Sequence, residues 1–353
     1  MAEVVACLES VLALQEKERK RLKPLELYFD ALEGDVRMLC KYESKTINTA
    51  TENFSDHNII DGTFFHYSMY KGRLQNGQGI LISKYESDFP WHEYKSEVSL
   101  LLKLEHENLL QLLGYSIKGR QVSLVYEFAF YANLDDLLID PECTLLDWNK
   151  RNKLILAVAR ALVYLHQHHV IHNRLVPRRV LLDESLLPKL SDMVQASYNE
   201  GDKYRNWTPL YTPPETYPHV RLTTKADVYR FGVLILEIIT RYRMDKRKDL
   251  QDVWRNWLEG TCSNKIRRGL HVDSSSVTRI IHIGLLCVQT DEADRPTMEE
   301  VVSMLTNTSS LALPTPKKPM PSRIEIDEMF SYAPRYRAPE ADEEFIFPTI
   351  ALL

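Results

Sequence analysis

Two arginines mark the stretch of sequence with the clearest potential for chemistry. The segment VIHNRLVPRRVLLD, residues 170–183, contains His172, Arg174 and Arg179, and Asp192 follows shortly after it. An arginine stays protonated at physiological pH and has no acceptor lone pair, so neither guanidinium can accept a proton from a substrate hydroxyl. Each guanidinium can instead pair with a carboxylate such as Asp192 or neutralise a phosphate group. The segment therefore favours anion binding over general-base catalysis.

The composition is that of an ordinary globular protein. With 353 residues, 44% of them hydrophobic and 26% charged, the chain can bury a sizeable core as one large domain or as two lobes. A formal net charge of -5 gives no excess of basic residues for a nucleic-acid backbone, so we expect no nucleic-acid partner. The five cysteines are widely spaced and form no C-x-x-C motif, which predicts neither a disulfide framework nor a zinc site. A reducing, intracellular compartment is expected.

No run of the sequence approaches the roughly 20 apolar residues that span a bilayer. The nearest run, at residues 4–14, is interrupted by Glu9 and followed by a basic stretch at 17–23. We interpret it as an amphipathic helix that ends in solvated charge, with a peripheral membrane contact as the alternative.

The chain divides into an extension, a main domain and a tail. Residues 1–46 are charged and helix-compatible but lack a hydrophobic core of their own, so they are predicted to precede the domain as an extension. The main domain is expected at 47–307, with a first lobe at about 47–126 and a second at about 130–307. The proline-rich tail at 308–353 is predicted to be mostly disordered.

Within the main domain a β-rich part precedes a helical part. Short β-compatible runs alternate with turn signals from about 59 to 90, and LQNGQG at 74–79 is the clearest hairpin signal. Apolar periodicity predicts a helix at 92–104. Two further strands are predicted at 111–117 and 122–128. Broad apolar stripes predict central helices at 153–168, 227–241 and 277–289.

The order and spacing of several residues resemble the protein-kinase family, and most closely the kinase domain of plant receptor-like kinases of the cysteine-rich and S-domain types. The ordered series is Gly62, Glu97, His172, Asp192, Pro214, Glu215, Asp227 and Arg295. The segments that carry the closer match are NTATENFS (48–55), MYKGRL (69–74), HENLLQLLGY (106–115), LVYEF (124–128), KADVYRFGVLILEII (225–239) and LLCVQTDEADRPTM (285–298). The resemblance covers about residues 46–307. It implies an α+β, bilobal protein-kinase-like fold, with a small antiparallel β-sheet lobe that carries one helix and a larger, mainly helical lobe.

The resemblance also implies a nucleotide cleft between the lobes. In its phosphate loop only Gly62 of the three family glycines is retained, and Phe64 and Tyr67 would crowd the space that glycines leave for phosphates. The residues that it assigns to the cleft are Gly62, Ser83, Tyr126, Glu127, Phe128 and Asp192.

Further departures fall on the groups that transfer phosphate. Ser83 stands where the family has its phosphate-pairing lysine, and the neighbouring Lys84 should point away from the cleft because strand side chains alternate, unless a bulge rotates it inward. Glu97, the usual partner of that lysine, is retained. Arg174 replaces the catalytic aspartate, and Arg179 replaces the asparagine that holds a second metal ion.

These replacements change the expected cofactors. Two guanidinium groups in this region should repel a magnesium ion, so magnesium is not expected, whereas ATP binding is left open. No other cofactor is expected, and no metal site is predicted. Asp192 is retained, and it can form an ion pair with Arg174 or Arg179 in place of a metal site.

The residues that hold the second lobe together in the family are retained. They include His172 of the loop motif, Asp227, and Glu215 with Arg295 as its expected ion-pair partner. Loss of catalytic groups beside retained structural groups is a selective pattern. The leading hypothesis is therefore an inactive kinase, a pseudokinase that binds or regulates other protein kinases or receptor-like kinase complexes, in the cytoplasm or at the inner face of the plasma membrane.

Two alternatives involve nucleotide. The first is weak or unorthodox ATP-dependent serine/threonine kinase activity that uses Asp192, Glu97 and an inward-rotated Lys84. The second is a non-catalytic switch in which Arg174 and Arg179 neutralise the phosphates of a bound nucleotide without metal.

Overall fold

The structure, a computed structural model, covers the main domain with several gaps. The described residues are 39–64, 67–85, 101–119, 121–128, 130–139, 145–191, 209–216, 223–240, 244, 247–260 and 274–306. All of them belong to one compact unit, Met1–Pro319. Most of the predicted extension and all of the tail at 308–353 lie outside the described residues, so the domain boundaries remain predictions.

The first lobe is built on a six-stranded sheet. Its strands are β1 (Cys40–Lys41), β2 (Ile59–Phe64), β3 (Tyr67–Arg73), β4 (Gly79–Tyr85), β5 (Gln111–Lys118) and β6 (Gln121–Glu127). The strand order is β1-β5-β6-β4-β3-β2, and every neighbouring pair is antiparallel except β1 with β5. The strands predicted at 111–117 and 122–128 are confirmed.

The turn between β3 and β4 matches the predicted hairpin at 74–79. The amide of Leu74 donates to the carbonyl of Gln78 at 2.9 Å. Gly77 has φ +85°, a left-handed conformation that glycine adopts without steric cost. This turn fixes the register of the two strands, in which Tyr67 faces Tyr85 and Met69 faces Ser83.

Strand β4 separates two environments. Ile80 and Ile82 point to the face that packs on helix α1 (Ser44–Ala50), where they form a core with the buried Ile47 and other apolar residues. Because strand side chains alternate, Ser83 and its neighbours of the same parity point to the opposite face. The ring of Tyr67, which pairs with Tyr85 on that face, lies near the guanidinium of Arg179 in the second lobe.

Residues 39–50, which contain β1 and α1, pack closely against the rest of the first lobe. A Cβ atom built on Gly114 of β5 would lie 1.9 Å from the carbonyl oxygen of Cys40 in β1, and one built on Gly72 would lie 2.9 Å from the carbonyl oxygen of Ala50. Two glycines therefore allow residues 39–50 to dock on the first lobe.

The second lobe is mainly helical. Its helices are α2 (Leu134–Ile139), α3 (Trp148–Gln167), α4 (Thr224–Thr240), α5 (Arg247–Leu258), α6 (Ser274–Cys287) and α7 (Met298–Thr306). A small sheet adds strands β7 (Ala132–Asn133), β8 (Val180–Leu182) and β9 (Pro188–Leu190), in the order β7-β8-β9. The helices predicted at 153–168, 227–241 and 277–289 are confirmed as α3, α4 and α6.

Helix α4 is the centre of this lobe, and its residues from Ala226 to Ile239 are all buried. It crosses α6 closely, because a Cβ atom on Gly232 would lie 2.6 Å from the Cβ atom of Cys287 and 2.9 Å from the carbonyl oxygen of Gly284. The buried position of α4 allows it to hold the loop that precedes β8.

An antiparallel sheet lobe followed by a helical lobe is the predicted α+β, bilobal kinase-like architecture, which is confirmed. The helix predicted at 92–104 falls mostly on residues 86–100, which lie outside the described residues.

Candidate functional site

The loop that contains His172 and Arg174 is held by one buried carboxylate. Asp227, in the first turn of α4, accepts a hydrogen bond from the backbone amide of His172 through Oδ2 and another from the amide of Asn173 through Oδ1, each at 2.7 Å. Asn173 has φ +61°, in the left-handed region. Because both donors are backbone groups, Asp227 fixes the path of the loop independently of its side chains.

The same carboxylate is the centre of a charged network. Nε2 of His166, in the last turn of α3, lies 3.1 Å from Oδ2 of Asp227, and Nη1 of Arg230 lies 3.7 Å from its Oδ1. Burial alone raises the pKa of the Asp227 carboxyl, but the hydrogen bond from His166 and the positive charge of Arg230 outweigh burial and hold that pKa below its usual value. Sequence reasoning assigned a structural role to Asp227 and His172 but missed His166 and Arg230.

Arg174 is the next residue along the chain after this anchored turn. Its amide donates to the carbonyl oxygen of His172 at 2.8 Å and lies 3.3 Å from Nδ1 of the His172 ring. The side chain of Arg174 is half-buried, while that of His172 is fully buried. A partly accessible arginine on a fixed backbone therefore occupies the position that the resemblance assigns to the catalytic base.

Arg179 closes a short helical turn, Pro177–Arg179, on the same loop. Its carbonyl oxygen accepts from the amide of Ser191 at 3.0 Å and from the hydroxyl of Ser191 at 3.1 Å. Only 7% of the residue is exposed, and its guanidinium carbon lies 5.8 Å from the centroid of the Tyr67 ring in the first lobe. No motif or periodicity in the sequence predicts this contact between the lobes.

The remaining cleft residues can be placed in part. Ser83, Tyr126 and Phe128 are buried and Glu127 is exposed, while Gly62 lies within β2. Tyr126 faces Leu81 across β4 and β6. Asp192 and Glu97 lie outside the described residues, so the predicted pairing of Asp192 with an arginine is a prediction still.

Lys84 points away from the cleft, as strand alternation predicts. Its Nζ lies 4.3 Å from the centroid of the Phe54 ring, on the face of β4 that packs on α1. The described pairing of β4 with β3 runs from Gly79 to Tyr85 without a bulge. The inward-rotated Lys84 that one hypothesis required is therefore wrong for this structure.

The pairing of Glu215 with Arg295 expected from the resemblance is present. The two guanidinium nitrogens Nη1 and Nη2 each donate to one carboxylate oxygen of Glu215 at 2.6 Å. Nε of Arg295 donates to the carbonyl oxygen of Gln289 at 2.7 Å, and the Arg295 side chain is buried. This planar, two-point ion pair fastens the segment at Pro214–Thr216 to the end of the domain.

The fit of a magnesium ion can be judged at position 179. A guanidinium has no acceptor lone pair, so Arg179 cannot take the place of a metal-holding asparagine. Among the residues that the structure describes, no group of three histidine, cysteine, aspartate or glutamate side chains could hold a metal ion. These residues do not fit a second magnesium ion.

Comparison with known proteins identifies the family. The family model for protein tyrosine and serine/threonine kinases matches residues 71–305. The chain belongs to this kinase family. Over 314 residues it is 39% identical to cysteine-rich receptor-like protein kinase 29 of Arabidopsis thaliana, and this match covers 82% of the chain and 46% of the relative.

Two further relatives extend the comparison. The chain is 36% identical over 325 residues to putative cysteine-rich receptor-like protein kinase 31 of Arabidopsis thaliana, with 86% of the chain and 48% of the relative covered. It is 38% identical over 305 residues to a G-type lectin S-receptor-like serine/threonine-protein kinase of the same organism, with 81% and 36% covered. The chain thus spans about half the length, or less, of these relatives.

These matches correct one prediction. The sequence led us to expect a protein without kinase activity, but the relatives are named as protein kinases and the family model describes kinases. The prediction of an inactive kinase is therefore wrong on this comparison, which points to a kinase enzyme. The resemblance to the kinase domain of cysteine-rich and S-domain receptor-like kinases is confirmed at the level of the family.

Within the described ranges, no helix combines the length and apolar character needed to cross a bilayer. The predicted location of the chain is not decided by this finding.

Proposed function

We propose that this chain is a weak, unorthodox protein kinase that binds ATP between its lobes and transfers the γ-phosphoryl group to serine or threonine hydroxyls of proteins. The observation that carries the proposal is the match of residues 71–305 to the kinase family model, and the similarity to named receptor-like kinases supports it. The anchored loop supports it, because Asp227 holds the backbone of His172 and Asn173, directly before Arg174.

Two arginines are compatible with phosphoryl transfer at a reduced rate. In this reaction a protein contributes mainly positioning and electrostatic stabilisation, and arginine stabilises the negative charge of the transition state. The serine hydroxyl oxygen forms the new bond to the γ-phosphorus while the bond to the β-γ bridging oxygen breaks and ADP leaves. Because Arg174 cannot accept the hydroxyl proton, that proton passes to a phosphate oxygen or to water.

The missing base sets the expected rate. A positioned general base contributes typically about 10²–10⁴-fold, so we expect turnover lower than that of a kinase with a carboxylate at position 174 by roughly this factor. No step requires a second magnesium ion, which Arg179 does not fit.

The partners and the location are proposed from the names of the relatives. Because these relatives are named receptor-like kinases, we propose that the partners are other protein kinases of this class. We place the activity at the cytoplasmic face of the plasma membrane.

The decisive experiment restores the base. Purified chain is incubated with γ-labelled ATP and a serine/threonine-rich protein substrate, with magnesium, with manganese or with a chelator. We expect slow labelling in the unmodified chain, and we expect Arg174→Asp to raise the rate by about 10²–10⁴-fold. Arg178→Gln is the matched control, because Arg178 is an arginine of the same loop with a different partner. Its side chain is 45% exposed, and its Nη2 lies 3.4 Å from Oδ2 of Asp135.

The labelling rate of the unmodified chain is compared with that of a variant that we expect to be inactive. Asp192→Ala should abolish labelling, since Asp192 is the retained carboxylate that the resemblance assigns to the cleft. Labelling of the unmodified chain no faster than that of Asp192→Ala would contradict the proposal. If ATP nevertheless raised the melting temperature in that case, the nucleotide would act as a conformational effector rather than as a substrate.

A further inference from the structure

Tyr67, Tyr85 and Arg179 meet where the two lobes approach each other. The rings of Tyr67 and Tyr85 have centroids 5.1 Å apart with 30° between their planes, and the guanidinium of Arg179 lies 5.8 Å from the Tyr67 centroid. Tyr67 and Tyr85 are at most 4% exposed and Arg179 is 7% exposed. Three large side chains are therefore packed together, with little solvent between the lobes at this point.

The register of the sheet places this cluster on the cleft side. Tyr67 and Tyr85 are directly paired across β3 and β4, and Ser83 lies two residues before Tyr85 on the same face. Ser83 aligns with the phosphate-pairing lysine of the family and Tyr67 with the last glycine of its phosphate loop. The cluster consequently lies at the phosphate end of the cleft.

The contact is attractive as well as space-filling. A guanidinium within about 6 Å of an aromatic centroid is attracted by the ring, and the attraction grows when water is excluded. Arg179 is fixed at its backbone by Ser191, so its side chain reaches the first lobe from a rigid base. The two lobes are thus joined across the cleft.

We propose that Tyr67 and Arg179 form an interlobe clamp that must open before the phosphates of ATP can enter. The proposal rests on the nucleotide binding that the proposed function requires, and it adds a regulatory step to it. The apparent affinity for ATP is lowered in proportion to the fraction of molecules in which the clamp is open.

The test measures ATP affinity in variants of the clamp. Tyr67→Leu removes the ring but changes no charge, and we expect it to lower the dissociation constant for ATP by about 3- to 10-fold. Tyr67→Phe keeps the ring and should stay close to the unmodified chain. Tyr70→Leu is the matched control, because Tyr70 is a buried tyrosine of the same strand whose ring packs on Phe54 at 5.0 Å, on the opposite face.

A double-mutant cycle separates the clamp from simple crowding. In the Arg179→Gln background we expect Tyr67→Leu to give no further gain in affinity, since the contact is already lost. A gain of the same size in both backgrounds would show that Tyr67 acts by bulk alone and would overturn the clamp, as would an unchanged affinity in Tyr67→Leu. If Tyr67→Leu lowers the yield of folded protein, Tyr67→Met in the same two backgrounds decides the question, because an unbranched side chain fills irregular gaps.

Binding and transfer are measured separately. Affinity is followed by titration calorimetry with ATP, without a phosphate acceptor. Tighter ATP binding by Tyr67→Leu with no labelling of substrate would support the clamp and contradict the kinase proposal. Labelling of substrate together with equal affinities for ATP across the variants would support the kinase proposal and contradict the clamp.

Discussion

Replacement of Asp227 by asparagine tests the network that holds the loop containing His172 and Arg174. Oδ1 of Asp227 accepts from the amide of Asn173 and Oδ2 accepts from the amide of His172, with His166 as an additional donor. Asparagine has one acceptor oxygen, so its NH2 group must face one of the two backbone N–H groups. The variant loses a hydrogen bond to a charged group and leaves a buried donor without a partner.

The expected loss follows from these contacts. A hydrogen bond to a charged group contributes about 1.5–3 kcal/mol, and an unsatisfied buried donor costs about 1–3 kcal/mol, so we expect Asp227→Asn to lower the free energy of unfolding by about 3 kcal/mol or more. For a domain of this size that corresponds to roughly 6–12 °C in melting temperature. Thermal and urea unfolding would measure both quantities.

Asp183→Asn provides the control. The carboxylate of Asp183 accepts from the amides of Ser185 and Leu187 through the single atom Oδ1, which asparagine retains. We expect a change below about 0.5 kcal/mol in this variant. Similar losses of stability in Asp183→Asn and Asp227→Asn would refute the argument that the two-oxygen geometry of Asp227 matters.

The dependence on pH has a definite sign. The pKa of Asp227 is held below its ordinary value of 3.8 in the folded protein, so its contribution to stability is complete above that value and is lost as the pH falls through the folded pKa. The difference in stability between the unmodified chain and Asp227→Asn should therefore be constant near neutrality and shrink below about pH 4. A difference that did not shrink in acid would contradict the assigned ionisation.

Two further variants probe the first lobe. Lys84→Ala removes the contact with Phe54 and should lower the free energy of unfolding by about 0.5–1 kcal/mol. Its affinity for ATP, measured by titration calorimetry, should stay within a factor of about three. A loss of affinity of tenfold or more would show that Lys84 reaches the cleft. Gly114→Ala should lose about 1–3 kcal/mol by overpacking against Cys40 and should expose the segment near Cys40 to limited proteolysis. Gly119 has open space around it but a φ of +61°, so Gly119→Ala should lose about 1–2 kcal/mol by backbone strain and still leave the segment near Cys40 protected.

Local patterns in the sequence predicted much of this structure. The alternation of strand side chains, counted from Ser83, was sufficient to orient Lys84 away from the cleft, because the period of a strand leaves only two faces. The apolar stripe at 227–241 likewise predicted α4, the most buried helix. The spacing of family motifs placed Asp227, Glu215 and Arg295 correctly in the second lobe.

Contacts between distant parts of the chain could not be predicted in this way. His166 belongs to a cluster of histidines that resembles a weak metal motif, and only the packing of α3 against α4 shows that its partner is Asp227. Tyr67 and Arg179 come from different lobes, and neither residue type carries a local signal for the other. Such pairs are set by the closure of the lobes rather than by any periodicity.

The anchoring of the loop explains how the base could be exchanged without loss of the fold. Asp227 binds the backbone amides of His172 and Asn173, and the amide of Arg174 turns back to His172, so no side chain at position 174 takes part in these bonds. The path of the loop backbone therefore does not depend on the nature of that side chain. Arg174→Asp should accordingly keep the amides of His172 and Asn173 protected in hydrogen exchange while its rate of phosphoryl transfer rises, and loss of that protection would show that the guanidinium helps to hold the loop.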